Sequence, residues 1–335
     1  MSQVDWSDLL AHVGSLDQVV SVTPVEYLDG AARGVRALDV RSLGGLHVTV
    51  LLDRGMDLGQ VWYRGIPLAW ISPVGPARTS AAADEDWLGA FHGGLLVTAG
   101  TQNVGRSAEA GGVRHGLHGR LSMLPARDLI WHVDPSRREI VVEGTIREAR
   151  VLGYYIELRR RLRFGIDSPT LAIEDVFANE GSAPAPVMVL YHFNLGWPLV
   201  SETSRLYGWP AEVTPREGDA AAAEALPTHD RFLPPTAGWR SQMFEHHGSE
   251  VSERTVGVAN PEYPPGQGVA AEITYRPAQL PRLWRWRMFD HKTYLVSIEP
   301  TNTSLEGRGA AQELPLLDAG RQLTFELSFR VRVGN

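Results

Sequence analysis

Three short segments of the sequence carry residue types suited to acid and base chemistry. They contain His118 in Gly-Leu-His-Gly, His192 in Tyr-His-Phe-Asn and Glu299 in Ser-Ile-Glu-Pro. A histidine titrates near neutral pH and can donate a proton to a ring oxygen, while a carboxylate can remove one from a hydroxyl group. Together they suggest the opening of a sugar ring. Taken singly, His192 and Glu299 are more typical of a half-buried hydrogen-bonded residue and a solvated strand-end carboxylate.

Composition limits the kinds of protein that could carry these residues. The chain has 335 residues, of which 43% are hydrophobic, enough for a substantial core. A net charge of -7 with scattered arginines argues against a nucleic-acid surface. The absence of cysteine excludes disulfides, thiol catalysis and a cysteine-ligated metal, and it fits the cytoplasm. The segment from Met1 to Leu16 lacks the features of a signal peptide, and no stretch approaches the roughly 20 apolar residues that span a bilayer.

Alternating hydrophobicity predicts mostly β structure after a short helix around Trp6–His12. The segment from Leu323 to Val333 alternates apolar and polar residues with a period of two, and the segment from Tyr154 to Phe164 repeats the pattern. Glycine- and proline-rich turns separate such runs, as in proteins built from many strands. We therefore predict an all-β protein, a large antiparallel β-sandwich, with an N-terminal helical segment over residues 1–20 and a single domain over 21–335.

The same period gives directions to the side chains of the candidate site. In the strand predicted around His192, the side chain of Asn194 shares the face of His192. In the strand predicted from Tyr294, Glu299 shares a face with Ser297. The acid and base candidates can therefore act together only if these two faces form the same side of a sheet.

Several segments, taken in order, resemble the galactose mutarotase, or aldose 1-epimerase, superfamily. His118, His192 and Glu299 lie in stretches similar to the Leu-His-Gly, His-x-Tyr/Phe-Asn-Leu and C-terminal glutamate motifs of that family. The resemblance is closest to an aldose-epimerase-like branch, covers nearly the whole chain and implies a galactose-mutarotase-like supersandwich. The segments that carry it are Leu52–Gly59, Gly93–Thr98, Leu117–Arg120, His192–Pro198 and Ile298–Pro300.

This resemblance implies a role for each residue of the opening set. His192 would be the general acid that protonates the ring oxygen, and Glu299 the general base that takes the proton of the anomeric hydroxyl. His118 would hydrogen-bond a ring hydroxyl or the ring oxygen. The implied reaction interconverts the α and β anomers of an aldose or modified aldose and needs no cofactor.

One departure from the family pattern concerns an arginine. Familiar members carry Gly-Arg-x-Ala-x-Arg before the Leu-His-Gly motif, whereas this chain reads Ala-Gly-Thr-Gln-Asn-Val-Gly. Arg54, with Asp57 nearby, could replace that arginine, and Asn103 could supply a neutral contact. The competing interpretation of Arg54 is a structural ion pair with Asp53 or Asp57, since buried arginines are usually paired. Asp230 matches the family's sugar-binding aspartate.

Five further residues are weighed as sugar contacts. Asn194 and Trp197 belong to the His192 segment, and for Trp197 packing beneath the site is the competing interpretation. Trp284 and Trp286 alternate with arginines, which predicts a core-facing strand edged by arginines in preference to an exposed stacking face. Lys292 is the only lysine in the chain. An amine makes a compact charged contact that arginine does not reproduce, so Lys292 is predicted to bind substrate, with accident as the competing interpretation.

Two other classes of function are consistent with the sequence. A noncatalytic sugar-binding or sensing protein would keep the cleft without the reaction, and an isomerase or lyase acting on an open-chain sugar would use Lys292 or a bound metal. His115 and His118 have a metal-like spacing but lack a clear carboxylate partner, so no metal and no cofactor are predicted. The expected partner is a small sugar, not nucleic acid or a membrane, and exposed edge strands permit a homodimer.

Overall fold

Helices are few and short in the computed structural model, which describes residues 5–79, 86–310 and 314–334. The first four residues of the predicted helical segment lie outside that description. The helix predicted at the N-terminus is confirmed, and the Asp5 carboxylate begins it by accepting hydrogen bonds from the backbone N–H groups of Ser7 and Asp8. No helix in the described ranges is long and apolar enough to cross a membrane. The helices are α1 Trp6–His12, α2 Trp87–Ala90 and α3 Ala220–Ala225, with 3₁₀ turns at Leu16–Gln18, Gly30–Ala32, Leu121–Met123 and Leu226–Thr228.

Strands make up most of the described chain. The first twelve are β1 Ser21–Glu26, β2 Arg36–Arg41, β3 Leu46–Leu51, β4 Asp57–Tyr63, β5 Ile66–Pro67, β6 Leu96–Thr101, β7 Ala108–Ala110, β8 Val113–His115, β9 Ala126–Asp134, β10 Glu139–Ala149, β11 Tyr155–Gly165 and β12 Thr170–Asn179. The others are β13 Ala185–Pro186, β14 Met188–Gly196, β15 Arg205–Tyr207, β16 Glu212–Pro215, β17 Gln242–His247, β18 Arg254–Asn260, β19 Val269–Tyr275, β20 Arg282–Phe289, β21 Tyr294–Thr301, β22 Leu316–Leu317 and β23 Gln322–Val333.

Two large antiparallel sheets contain most of these strands. Sheet 1 has the order β1-β2-β3-β4-β6-β14-β21-β20-β17-β16, with β5 paired to β4. Sheet 2 has the order β15-β18-β19-β23-β12-β11-β10-β9. The strands β14 and β21, which carry the acid and base candidates, are therefore hydrogen-bonded neighbours near the middle of sheet 1. The predicted all-β antiparallel architecture is confirmed.

The main core lies between the two sheets. Val189, Tyr191 and Phe193 of β14 belong to the same apolar cluster as Phe325 and Phe329 of β23. The rings of Tyr191 and Phe325 meet across the interface at a centroid distance of 6.2 Å. Since side chains alternate along a strand, the odd-numbered residues of β14 face sheet 2 and the even-numbered residues face outward.

A fully buried charged network ties the two sheets together behind the site. Arg160 of β11 binds Asp175 of β12 through two hydrogen bonds, of 2.9 and 2.6 Å, and reaches Asp57 of β4 at 3.3 Å. The Tyr191 hydroxyl donates to Asp175 at 2.7 Å, and the Thr98 backbone N–H donates to Asp57 at 2.9 Å. The three charged side chains are almost completely buried, so each depends on the others for compensation.

The burial of Asp57 predicts a dependence of stability on pH. Burial, only partly offset by Arg160, raises the pKa of Asp57 from 3.8 to about 6. A carboxyl group with a raised folded-state pKa contributes stability below pH 4 and loses it as pH rises through 6. Relative to wild type, Asp57→Asn should therefore become more stable by about 2 kcal/mol between pH 4 and pH 7. Urea unfolding of both proteins at the two pH values measures this change, and parallel pH dependences would contradict it.

Candidate functional site

His192 and Glu299 are direct neighbours across two strands. The register pairs Phe193 with Ile298, and one step further along places His192 opposite Glu299. The Nε2 atom of His192 lies 3.2 Å from Oε1 of Glu299. Both side chains are buried, with 3% and 0% of their residue surface exposed. The two candidate residues thus form a contact pair on one side of sheet 1.

The pair lies on the outer face of sheet 1, opposite to the main core. Along β14, Met188 and Leu190 share the face of His192 and pack with Trp284 in a separate apolar cluster. On the other neighbouring strand, Val97 lies opposite His192 and belongs to another outer cluster. The strand period predicted that His192 and Asn194 share a face, and they do. Apolar side chains therefore flank the pair on both sides, and the surroundings of the pair are called the cleft below.

The loop after β6 brings His118 to the same cleft. The rings of His118 and His192 lie 6.2 Å apart. The backbone N–H of Gly105 donates to Nδ1 of His118 at 3.3 Å, so the hydrogen of the neutral imidazole is on Nε2. Burial, together with His192 and Arg216, lowers the pKa of His118 to about 3. His118 is therefore a neutral hydrogen-bond donor and not an acid.

Two glycines allow the His118 loop to approach β6. The backbone of Gly119 has φ 67°, and a Cβ atom there would lie 2.5 Å from the carbonyl oxygen of Gly100. Gly100 in turn has φ 128°, and its Cβ atom would lie 1.9 Å from the carbonyl oxygen of Met188. A side chain at Gly119 would push the loop away from β6, and one at Gly100 would force β6 and β14 apart. The glycine after His118 is thus required by the position of His118.

Aromatic rings form one wall of the cleft. Trp87 and Phe91 are stacked at 4.4 Å, and the Trp87 ring lies 4.7 Å from His118. The centroids of Phe91 and Trp286 lie 5.4 and 5.9 Å from that of His192. No sequence motif singled out Trp87 and Phe91, which lie on or beside a four-residue helix. Such rings can stack on the apolar face of a sugar.

The prediction that Trp284 and Trp286 face the core with arginines at the edge is wrong. Trp284 pairs with Glu299 across the ladder and belongs to the outer cluster. Arg285 and Arg287 occupy the other face and are each 1% exposed. The arginines are tolerated there because they hydrogen-bond neutral groups, including His246 at 3.1 Å for Arg285. The alternation in the sequence was correct, but the two faces were exchanged.

Several buried polar atoms in the cleft have no hydrogen-bond partner within the described chain. They are His192 Nδ1, Glu299 Oε2, Asn194 Oδ1 and Trp284 Nε1. All four belong to side chains on the outer face of sheet 1. Buried polar groups are normally paired, so such a set favours a polar ligand with several hydroxyl or ring oxygens.

Arg54 and Asp57 lie behind the cleft. The Arg54 guanidinium donates to three carbonyl oxygens, those of Ser122 at 2.9 Å, Ala77 at 2.8 Å and Ala90 at 2.7 Å. These hydrogen bonds join the helix that carries Trp87 to the segments around Ala77 and Ser122. Burial lowers the pKa of Arg54 to about 10, which leaves it a cation at neutral pH. Asp57 belongs to the charged network between the sheets, so the structure does not bring this pair to His192.

Asn103 supports the His118 loop. Its amide donates to the carbonyl oxygens of Arg106 at 3.0 Å and Gly116 at 2.7 Å. Its side-chain oxygen accepts a hydrogen bond from the backbone N–H of Arg308 at 2.8 Å. The amide of Asn194 likewise donates to a backbone carbonyl, that of Gly94, at 3.0 Å, and its side-chain oxygen is buried without a partner.

The three other predicted sugar contacts lie apart from the pair. Trp197 follows the end of β14, is 64% exposed and packs against Tyr263. Asp230 is exposed in a loop on the Arg285 side of sheet 1. Lys292 is exposed in the turn between β20 and β21. Glu299 lies about 17 Å along β21 from Tyr294, the first residue of that strand.

Metal ligands are not grouped in the described ranges. No set of three or more histidine, aspartate or glutamate side chains there is placed to hold a metal ion.

Solved structures share this fold at low sequence identity. A "putative aldose 1-epimerase" from Klebsiella pneumoniae subsp. pneumoniae is 24% identical, with a TM-score of 0.84 over 93% of this chain and 83% of that chain. A galactose mutarotase-like protein from Clostridium acetobutylicum is 11% identical, with a TM-score of 0.65 over 94% and 99%. A galactose 1-epimerase from Lactobacillus acidophilus is 14% identical, with a TM-score of 0.60 over 94% and 100%. These likenesses confirm the predicted galactose-mutarotase-like sandwich.

The sequence itself identifies a family. No curated protein matches the chain. Residues 32–331 match the model of a family described as a domain of unknown function, DUF4432. Since the match covers most of the sequence, the chain belongs to the DUF4432 family.

Proposed function

We propose that this protein is an isomerase that interconverts the α and β anomers of an aldose or modified aldose. The observation that carries the proposal is the buried contact between His192 Nε2 and Glu299 Oε1, with one unpartnered polar atom left on each side chain. An acid and a base held side by side are what ring opening requires. The folds of proteins described as galactose 1-epimerase and galactose mutarotase-like support the same reaction class.

The geometry suggests which atoms move protons. An imidazolium carries hydrogens on both nitrogens, and Nε2 of His192 is the nitrogen beside Glu299, 3.2 Å from its Oε1. The transferable proton is therefore on Nδ1, which donates it to the ring oxygen. Oε2 of Glu299 removes the proton of the anomeric hydroxyl as the bond between C1 and the ring oxygen breaks and the aldehyde forms.

Ring closure reverses both transfers. Rotation about the C1–C2 bond presents the other face of the aldehyde to the ring hydroxyl. Neutral His192 then takes the hydroxyl proton, and the protonated Glu299 returns its proton to the aldehyde oxygen. Acid and base groups of this kind each contribute about 10²–10⁴-fold, which suffices for a reaction that also proceeds spontaneously.

Binding of the sugar is assigned to the groups around the pair. Nε2–H of His118 donates to a sugar oxygen, and the unpartnered oxygen of Asn194 accepts from a hydroxyl. The aromatic wall of Trp87, Phe91 and Trp286 covers the apolar face of the ring. The sugar-binding roles of Arg54, Asp57, Asn103, Trp197, Asp230 and Lys292 stay predictions from the sequence.

Truncation of Trp286 should weaken sugar binding more than it slows the chemistry. Trp286→Ala removes one aromatic ring beside His192 but no proton-transfer group. We expect KM to rise about 10-fold and kcat to change less than about 3-fold, since a ring stacked on a ligand contributes about 1–1.5 kcal/mol. Steady-state kinetics measure both values. Trp131→Ala, on the edge strand β9 of sheet 2, is the matched control. Equal effects of the two variants on KM would contradict the assignment.

The direct test of the proposed function is anomer exchange followed by NMR across a panel of neutral, acidic and phosphorylated aldoses. Acceleration of exchange for at least one sugar supports an isomerase. Saturable binding without acceleration would identify a sugar-binding or sensing protein instead. Failure to accelerate or bind any sugar in the panel would count against both.

The third class of function has its own test. Borohydride trapping of an adduct at Lys292 would support an isomerase or lyase that acts on the open-chain sugar. The exposed position of Lys292, distant from Glu299 along β21, is the reason to prefer the acid–base pair.

A further inference from the structure

Ser297 lies between the backbone of β20 and the carboxylate of Glu299. It precedes Glu299 by two residues on β21, so both side chains point to the outer face of sheet 1. The side chain of Ser297 is completely buried. Its hydroxyl contacts Oε1 of Glu299, and the backbone N–H of Trp286 donates to the hydroxyl oxygen at 2.7 Å.

The direction of these hydrogen bonds is fixed. A backbone N–H can only donate, so the Ser297 oxygen accepts from Trp286, and a carboxylate can only accept, so the hydroxyl hydrogen is donated to Oε1 of Glu299. The ladder between β20 and β21 is interrupted here, since the residues paired with β21 include Trp284 and Arg287 but not Trp286. The serine hydroxyl thus accepts the hydrogen bond of the Trp286 N–H where the ladder is interrupted. The same hydroxyl links this N–H to the carboxylate of Glu299.

The two carboxylate oxygens of Glu299 therefore differ in their contacts. Oε1 accepts a hydrogen bond from Ser297 and lies 3.2 Å from Nε2 of His192, whereas Oε2 is buried without a partner. A hydroxyl donor favours the charged form of a carboxyl group, and the contacts at one oxygen fix the rotation of the group. Oε2 is left as the oxygen that can accept a substrate proton.

We propose that Ser297 is a positioning residue that holds Glu299 as a carboxylate with Oε2 directed to the substrate. This inference rests on the proposed function of the site. The competing explanation is that the hydroxyl only satisfies the Trp286 N–H in an interrupted ladder. Both explanations allow a loss of stability on mutation, but only the positioning role changes the protonation of Glu299.

Ser297→Ala separates the two explanations. Loss of the donor should move the acid limb of the pH–rate profile about one pH unit upward and lower kcat about 10-fold, with KM nearly unchanged. Ser297→Cys keeps the shape with a weaker S–H donor and should give smaller changes in the same direction. Ser328→Ala, at a half-buried hydroxyl on β23, is the matched control and should leave the profile unchanged.

A readout that does not depend on turnover completes the test. Carbon-13 NMR of labelled glutamate follows the titration of Glu299 in the free protein, and Ser297→Ala should move its midpoint upward by a similar amount. Unchanged midpoints and profiles in folded Ala and Cys variants would overturn the positioning role. If no sugar is accelerated by wild type but the midpoint moves, the proposed function fails and the positioning of Glu299 stands. If the Ala variant does not fold, the Cys variant decides.

Discussion

Replacing Glu299 with glutamine is expected to slow anomer exchange by about 10²–10⁴-fold, the usual loss when a general base is removed. Glutamine has nearly the same shape, so the contact with Ser297 and the position of His192 should be preserved. The uncharged amide cannot take the anomeric proton. We therefore expect the loss in kcat, with sugar affinity within a few-fold of wild type. NMR exchange rates and equilibrium binding of the same sugar measure the two quantities.

Nonadditivity gives the stricter form of this test. His192→Gln should cause a loss of similar size, and the double variant should be little slower than either single variant because the two groups act as a unit. Glu174→Gln, at a half-buried carboxylate of sheet 2, is the matched control. Activity of Glu299→Gln equal to that of the control would exclude the pair as the site of proton transfer.

Loss of Arg160 is expected to destabilise the protein by about 3–5 kcal/mol, because Arg160→Met leaves two buried carboxylates without their cation. The rings and strands around the network would remain, but Asp175 would lose both of its hydrogen bonds to the guanidinium. For a chain of this length the expected fall in Tm is about 4–7 °C. Calorimetry or urea unfolding measures the change.

The neighbouring arginine on β11 supplies the control. Arg159 is about half exposed and pairs with Glu157 and Glu180 at the surface, so Arg159→Met should cost less than about 1 kcal/mol. Adding Asp175→Asn to Arg160→Met removes one uncompensated charge and should restore part of the stability. Equal losses for the two arginine variants would show that the buried network contributes little.

The strand period predicted the relative directions of the site residues well. It placed Asn194 with His192 and Ser297 with Glu299, and the structure has these pairs on the outer face. The period did not reveal which face was the outer one. Every residue of β14 and of β21 is buried, so hydrophobicity offers no contrast between the two sides.

Long-range partners explain most of what the sequence left undetermined. Arg54 was weighed as a sugar ligand, yet its hydrogen bonds run to carbonyls at residues 77, 90 and 122, which no local pattern connects. Arg285 and Arg287 were placed at an edge because the tryptophans that alternate with them were expected to face the core. Their neutral hydrogen-bond partners lie on β17 and the loop before it, which only the tertiary fold brings beside β20.

Hydrogen bonds between Gly105 and His118 hold together the two ends of the loop that leads to His118. The backbone N–H of His118 donates to the Gly105 carbonyl at 2.9 Å, and the Gly105 N–H donates back to the imidazole. The hairpin β7–β8 is a side branch between these two anchors. Insertions or exchanges in it would add little closure entropy and need not move the imidazole. The hairpin is therefore a natural position for evolution, or for an engineer, to graft new sequence beside the cleft.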